Sequence, residues 1–236
     1  MRAVTERPHF GSREFSTIAY PLFGRRWACG GDVASGGRAL QWFARLCHGR
    51  DGVDAALLRA IEREISAVPP GAGGLLFIPH LGGEVSPHRR LDARGALIGL
   101  RAEMDRGHIA RAVMEGVALA LRSILTRLEA RGIVTRQFRA TGGGARSAAW
   151  VQVLADVLGR PVGVAEEEAS ARGAALLLFV AQGVYRTIEE ASRAMAREAG
   201  RAEPRRAHHA AYDEAFAKYE EASEMLYRLD HGRRSG

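Results

Sequence analysis

Two cysteines, Cys29 and Cys47, are all that the 236 residues contain, and their spacing makes neither a metal motif nor a disulfide framework. Such sparing use suits a reducing compartment, so the expected localisation is cytoplasmic. Long apolar runs are missing too. No stretch reaches the ~20 residues that span a bilayer, and the longest, GAALLLFVAQG, reads as a buried helix. No membrane partner is expected. The opening residues, Met1 to Glu6, lack the apolar core of a signal peptide. Low-complexity blocks, internal repeats and evident linkers are also absent. What remains is one domain over residues 1–236, expected to be well folded from about 15 to 230.

The formal net charge is +7. Its basic residues are almost all arginine and alternate with glutamate, as in REAGRAEPRR, RLEARG and RAIEREIS. That mixture describes solvated helix faces carrying local ion pairs. It does not describe a single basic stripe, so a nucleic-acid partner is not expected.

Periodicity supplies the elements. Short β-like runs at Phe15 to Tyr20 and Arg25 to Ala28 flank a turn at Pro21 and Gly24. An amphipathic helix follows with Leu40, Phe43 and Leu46 on one face, then a second over Val53 to Val68. LLFIP reads as a buried strand, and a long helix runs from Ile109 to Arg131. Strand RQFRAT, a helix from Ala148 to Leu158, strand VGVA, and helices over EEASARGAALLLFVAQG, Ile188 to Ala199 and Ala207 to Leu229 complete the chain. Strands alternating with helices define an α/β class with a helical C-terminal end.

One loop stands out. In QFRATGGGARSAAW, residues 137 to 150, Gly142, Gly143 and Gly144 separate a strand from a helix. Such a loop offers free backbone N–H groups to a ligand, and the helix N-terminus adds partial positive charge. Ser147 stands at the N-cap, where its hydroxyl accepts from first-turn amides. No lysine follows as in a P-loop, and Ser147 takes the place of the last glycine of G-x-G-x-x-G. On its own, such a loop is a tight turn more often than a nucleotide site.

Four segments, LLFIPHLGGEVSPHRRLDARGALIGL, HIARAVMEGVALALR, TGGGARSAAWVQVLADVLGRPV and EEEASARGAALL, occur in that order. Together they resemble the C-terminal half of the FGGY family of carbohydrate kinases, which includes xylulokinases, gluconokinases and glycerol kinases. The resemblance runs from about Arg25 to the final helix. It implies a ribonuclease-H-like C-terminal domain of the actin and sugar-kinase superfamily, with a helical C-terminal extension. It also implies ATP and Mg²⁺, with the γ-phosphate passing to a hydroxyl of a xylulose- or gluconate-like sugar. By the same resemblance Gly142, Gly143 and Gly144 lie against the nucleotide, Gly143 near the α-phosphate and ribose. Ser147 occupies the place where glycerol kinases carry an asparagine near the adenine. Gly37 and Gln41 match a glycine and a glutamine that border the nucleotide in glycerol kinases.

Neither the D-x-G-T loop nor the G-T-S loop of the family's N-terminal domain occurs in this sequence, and the family's catalytic aspartate has no counterpart. No catalytic residue is therefore assigned, and a sugar is expected to bind only together with an N-terminal kinase domain. The chain reads as the ATP-binding half of a kinase, inactive alone; the alternative is a non-catalytic nucleotide-binding remnant or an interaction module without kinase activity. Asp32 reads as a solvated turn residue, and Arg111 with Glu115 as a structural pair. His80 and His88 share one loop, are read as candidates to face the cleft, and have no metal spacing. His208 and His209 read as the start of a surface helix. The uncovered cleft face favours a homodimer.

Overall fold

The computed structural model describes residues 1–12, 15–23, 25–165 and 169–231. Its first sheet holds β1 (Arg2–Thr5), β2 (Ile18–Pro21) and β3 (Trp27–Gly30), with β3 central and both neighbours antiparallel. Ordered structure thus starts at Arg2 rather than near residue 15. Short polar strands such as Arg2–Thr5 carry too little alternation to be read alone, and pairing with β3 creates this one. Gly24, expected in the turn, lies outside the described residues.

Helices α1 (Gly36–His48) and α2 (Ala55–Ser66) pack on α3 (Arg106–Glu129). Asp54 caps α2, accepting from the Leu57 amide at 2.8 Å. α3 crosses the middle of the domain with Val113, Val117, Ile124 and Leu128 all buried. Its backbone approaches the two-stranded pair β4 (Leu76–Ile78) and β5 (Ala96–Ile98) closely. A Cβ on Gly116 would stand 2.2 Å from the Phe77 carbonyl oxygen, so only glycine lets the helix lie that near. Leu46, expected beside Leu40 and Phe43, is 61% exposed, because the apolar stripe of α1 ends one turn earlier.

The second sheet places β6 (Phe138–Ala140) parallel to β7 (Val162–Ala165), with β8 (Glu198–Ala202) antiparallel on the outer side of β7. Helix α4 (Ala148–Leu158) joins β6 to β7. Two expectations change here. The helix expected over Ile188 to Ala199 ends as α6 (Ile188–Met195), and the chain turns into β8 because the free edge of β7 offers a ladder that outweighs local helix propensity. Helix α5 (Ala169–Ala181), expected to be buried, leaves Leu178 and Phe179 exposed. Glu166 to Glu168, at the start of its motif, lie outside the described residues.

Helix α7 (His209–His231) closes the core by inserting Tyr212 and Tyr219 against α3 and β4. Among the described residues no helix is long and apolar enough to cross a membrane.

Candidate functional site

The glycine loop is built from below. Gly142 takes φ 82°, a left-handed turn that suits glycine, and Gly143–Arg146 form a single tight turn. Under that turn lies Trp150, whose ring carbon would be 3.2 Å from a Cβ on Gly144. The indole is itself fixed, donating to the Met114 carbonyl of α3 at 3.2 Å. Ser147 caps α4 as its position predicts, accepting from the Trp150 amide at 3.1 Å. Its hydroxyl also donates to Glu62 of α2 at 2.7 Å, and the residue is fully buried. The loop is therefore clamped between α2, α3 and α4.

Facing it is the start of α1. Ser35 makes no side-chain cap there; the Gly36 amide bonds the Val33 carbonyl at 3.4 Å, and the first-turn amides of Gly37 and Arg38 keep their donor capacity. These residues, Gln41, Gly143 and Gly144 all line one cavity of about 1380 Å³. A Cβ at Gly37 or at Gly143 would meet nothing within 4 Å, so both positions open onto free space. Leu40, Val53, Leu58 and Trp150 give the cavity apolar wall. Met1–Val4, at the β1 edge of the first sheet, and Val134–Thr141, leading through β6, also line it; their two sheets share no ladder.

Basic side chains outnumber acidic ones on the walls, where Asp54 and Glu62 are the carboxylates. Arg38, Arg59, Arg136 and Arg139 all line the cavity, and none pairs with a carboxylate among the described residues. Unpaired guanidiniums converging on a cleft suit an anion with several oxygens.

The six residues expected at the site thus separate. Gly37, Gln41, Gly143 and Gly144 are brought together across one cavity. Gly142 shapes the turn without lining it. Ser147 sits beneath the loop with its hydroxyl bonded to Glu62 and the Trp150 amide, and it does not line the cavity. Arg59 and Glu62 were not anticipated. Both lie on the flank of α2 beside the buried stripe of Leu57, Ile61 and Ile65, and no local signal distinguishes them from solvated residues.

The other polar candidates fasten the fold. Asp32 pairs with Arg2 at 2.9 Å, more than a solvated turn residue. His80 is buried against Ser223 at 3.2 Å, and His88 bridges Glu84 at 3.0 Å and Arg127 at 3.2 Å; both hold their loop to α3 and α7 and neither lines the cavity. Arg111 donates to Glu115 at 2.8 Å, the expected i, i+4 pair. His208 meets Asp156 of α4 at 2.9 Å and is only partly exposed, a tie between helices.

The architecture is that of the ribonuclease-H-like sugar kinases, an α/β domain with its glycine loop at a strand-to-helix junction. Residues 4–182 match the model of the FGGY family of carbohydrate kinases, C-terminal domain, and the chain belongs to that family. The xylulose kinase of Bacillus subtilis (strain 168) is 32% identical over 190 residues, 80% of this chain and 37% of that protein. The gluconokinase of the same strain is 32% identical over 201 residues, 81% of this chain and 39% of that protein. Among solved structures, xylulose kinase from Rhodospirillum rubrum superposes with a TM-score of 0.83 at 28% identity, covering 98% of this chain and 46% of that one. Gluconate kinase from Lactobacillus acidophilus gives 0.83 at 26%, covering 99% and 46%. The chain spans less than half the length of these relatives.

Proposed function

We propose that this domain is the nucleotide half of an ATP-dependent carbohydrate kinase. One observation carries the reading: Gly37 and Gly143, 106 positions apart in sequence, open onto the same arginine-walled cavity with free space where side chains would stand. ATP fits that cradle, with its polyphosphate against the arginines and free amides, and its base against Leu58 and the 143–144 backbone. Phosphoryl transfer depends mainly on position and charge stabilisation, and holding the donor is the share this domain can supply.

The two Bacillus subtilis relatives, a xylulose kinase and a gluconokinase at equal identity, support a xylulose-like or gluconate-like acceptor. The acceptor's own contacts and the group that takes its proton are proposed to lie in a kinase domain outside these residues. Among the described residues no group of three His, Cys, Asp or Glu is arranged to hold a metal, so no residue here is proposed as a Mg²⁺ ligand.

The test is calorimetric titration of the chain with ATP and ADP, alongside turnover assays on D-xylulose and gluconate. Nucleotide binding near the millimolar range, about 4 kcal/mol, without turnover is expected. No saturable binding at high nucleotide concentration would sink the reading, and turnover by this chain alone would overturn the division of labour.

A further inference from the structure

Glu62 is divided between two tasks. One carboxylate oxygen, Oε1, accepts from the Ser147 hydroxyl at 2.7 Å and from the Ala149 amide at 3.4 Å. Those bonds set it at the N-terminus of α4, where the helix dipole favours an anion. The other oxygen, Oε2, bonds no described residue, and Glu62 lines the cavity beside Leu58 and Gly144. An ionised carboxylate can only accept. Beside the apolar wall of Leu58, its free oxygen calls for a ligand that brings a hydrogen-bond donor on an uncharged, flat edge.

We propose that Glu62 determines which purine this cavity takes, its free oxygen accepting the exocyclic 6-amine of adenine. The proposal rests on the reading of the cavity as a nucleotide site and adds the base it selects. A 6-oxo purine presents an acceptor at the same point, leaving two acceptors opposed and the carboxylate without a partner, which discriminates more strongly than a missing contact. Leu58 and the glycine backbone contribute the apolar faces that hold the ring plane; they do not distinguish the bases.

The experiment compares ADP with IDP, which carries oxygen in place of the 6-amine, by calorimetric titration of the wild-type chain and of Glu62→Gln. A glutamine keeps an oxygen for Ser147 and turns an amide N–H₂ towards the ligand. The wild-type chain is expected to bind ADP about tenfold or more tightly than IDP. Glu62→Gln is expected to reverse that order while its melting temperature stays near wild type. Equal wild-type affinities for the two nucleotides would overturn the role of Glu62 and leave the nucleotide site standing. An unchanged preference in Glu62→Gln would reduce Glu62 to an anchor for Ser147. If neither nucleotide binds the wild-type chain, the nucleotide reading fails and this inference with it.

Discussion

The phenol of Tyr212 donates to Glu115 Oε1 at 2.8 Å, and the same oxygen accepts from the Gly71 amide at 3.0 Å and from Arg111. Three elements meet there: α3, α7 and the loop that leads into β4. Arg111 reaches further, to the Val68 carbonyl at 2.9 Å. Glu115 and Tyr212 are both buried, so their polar groups must find each other or go unpaired.

Tyr212→Phe keeps the ring and removes the hydroxyl that donates to Glu115 and accepts from Arg111 at 3.2 Å. We expect a loss of about 1–2 kcal/mol in unfolding free energy, with nucleotide affinity unchanged, since the residue does not line the cavity. Urea denaturation of both chains measures it. A loss below a few tenths would show that Arg111 and Gly71 satisfy Glu115 by themselves.

Gly142 and Gly143 should respond to valine in opposite ways. Gly143 has no positive φ and open space around its Cβ position, so Gly143→Val is expected to weaken ATP binding about tenfold or more with little change in melting temperature. Gly142 has φ 82°, so Gly142→Val is expected to cost stability first. Melting curves and titrations on the two variants decide it. Unchanged affinity in Gly143→Val would make the loop a turn and nothing more.

Acid should loosen the loop between β4 and β5. Burial holds the His80 imidazole below its ordinary value of 6.5, so the folded state disfavours its proton. Burial pushes Glu84 upwards, but the hydrogen bond from His88 and the charges of His88, His80 and Arg90 prevail and hold it below 4.5. Both groups are depressed in the folded state, so each contributes stability above its unfolded value and loses it as pH falls. Unfolding free energy is therefore expected to decline from about pH 6.5 through His80 and further below about pH 4.5 through Glu84. Glu84→Gln should flatten the lower part of that curve, and an equally steep decline in the variant would remove Glu84 from the account.

The exposed face of α5 bears on association. Leu178 is 62% exposed and Val184, just after the helix, 59%. Apolar surface of this kind drives self-association, and the chain is expected to dimerise as concentration rises. Leu178→Glu should lower the measured mass. Light scattering that shows a monomer throughout for the wild-type chain would contradict this.

Much of the fold was legible because the long elements carry their own signals. α3 repeats apolar residues over six turns, and α4 is bracketed by Ser147 and Gly159, so its boundaries follow from the capping residues alone. β1 and β8 were not legible, since Arg2–Thr5 and Glu198–Ala202 become strands only through the neighbour they pair with. Within the site, Gly37 and Gly143 could be picked out because glycine is conspicuous where a chain turns into a helix. Glu62 could not. It meets Ser147 across 85 positions, and nothing in IEREIS marks one glutamate from the other.

Trp150 gives the domain an optical consequence. Its indole lies 4% exposed directly beneath Gly144, while Trp42 stacks on Phe77 in the core and Trp27 packs edge-on to Phe10 in the first sheet. Of the three tryptophans, it alone touches both the floor of the cavity and the turn above it. Its emission is a built-in reporter of that turn, readable without a label, and the single-tryptophan chain Trp27→Phe, Trp42→Phe would isolate the signal.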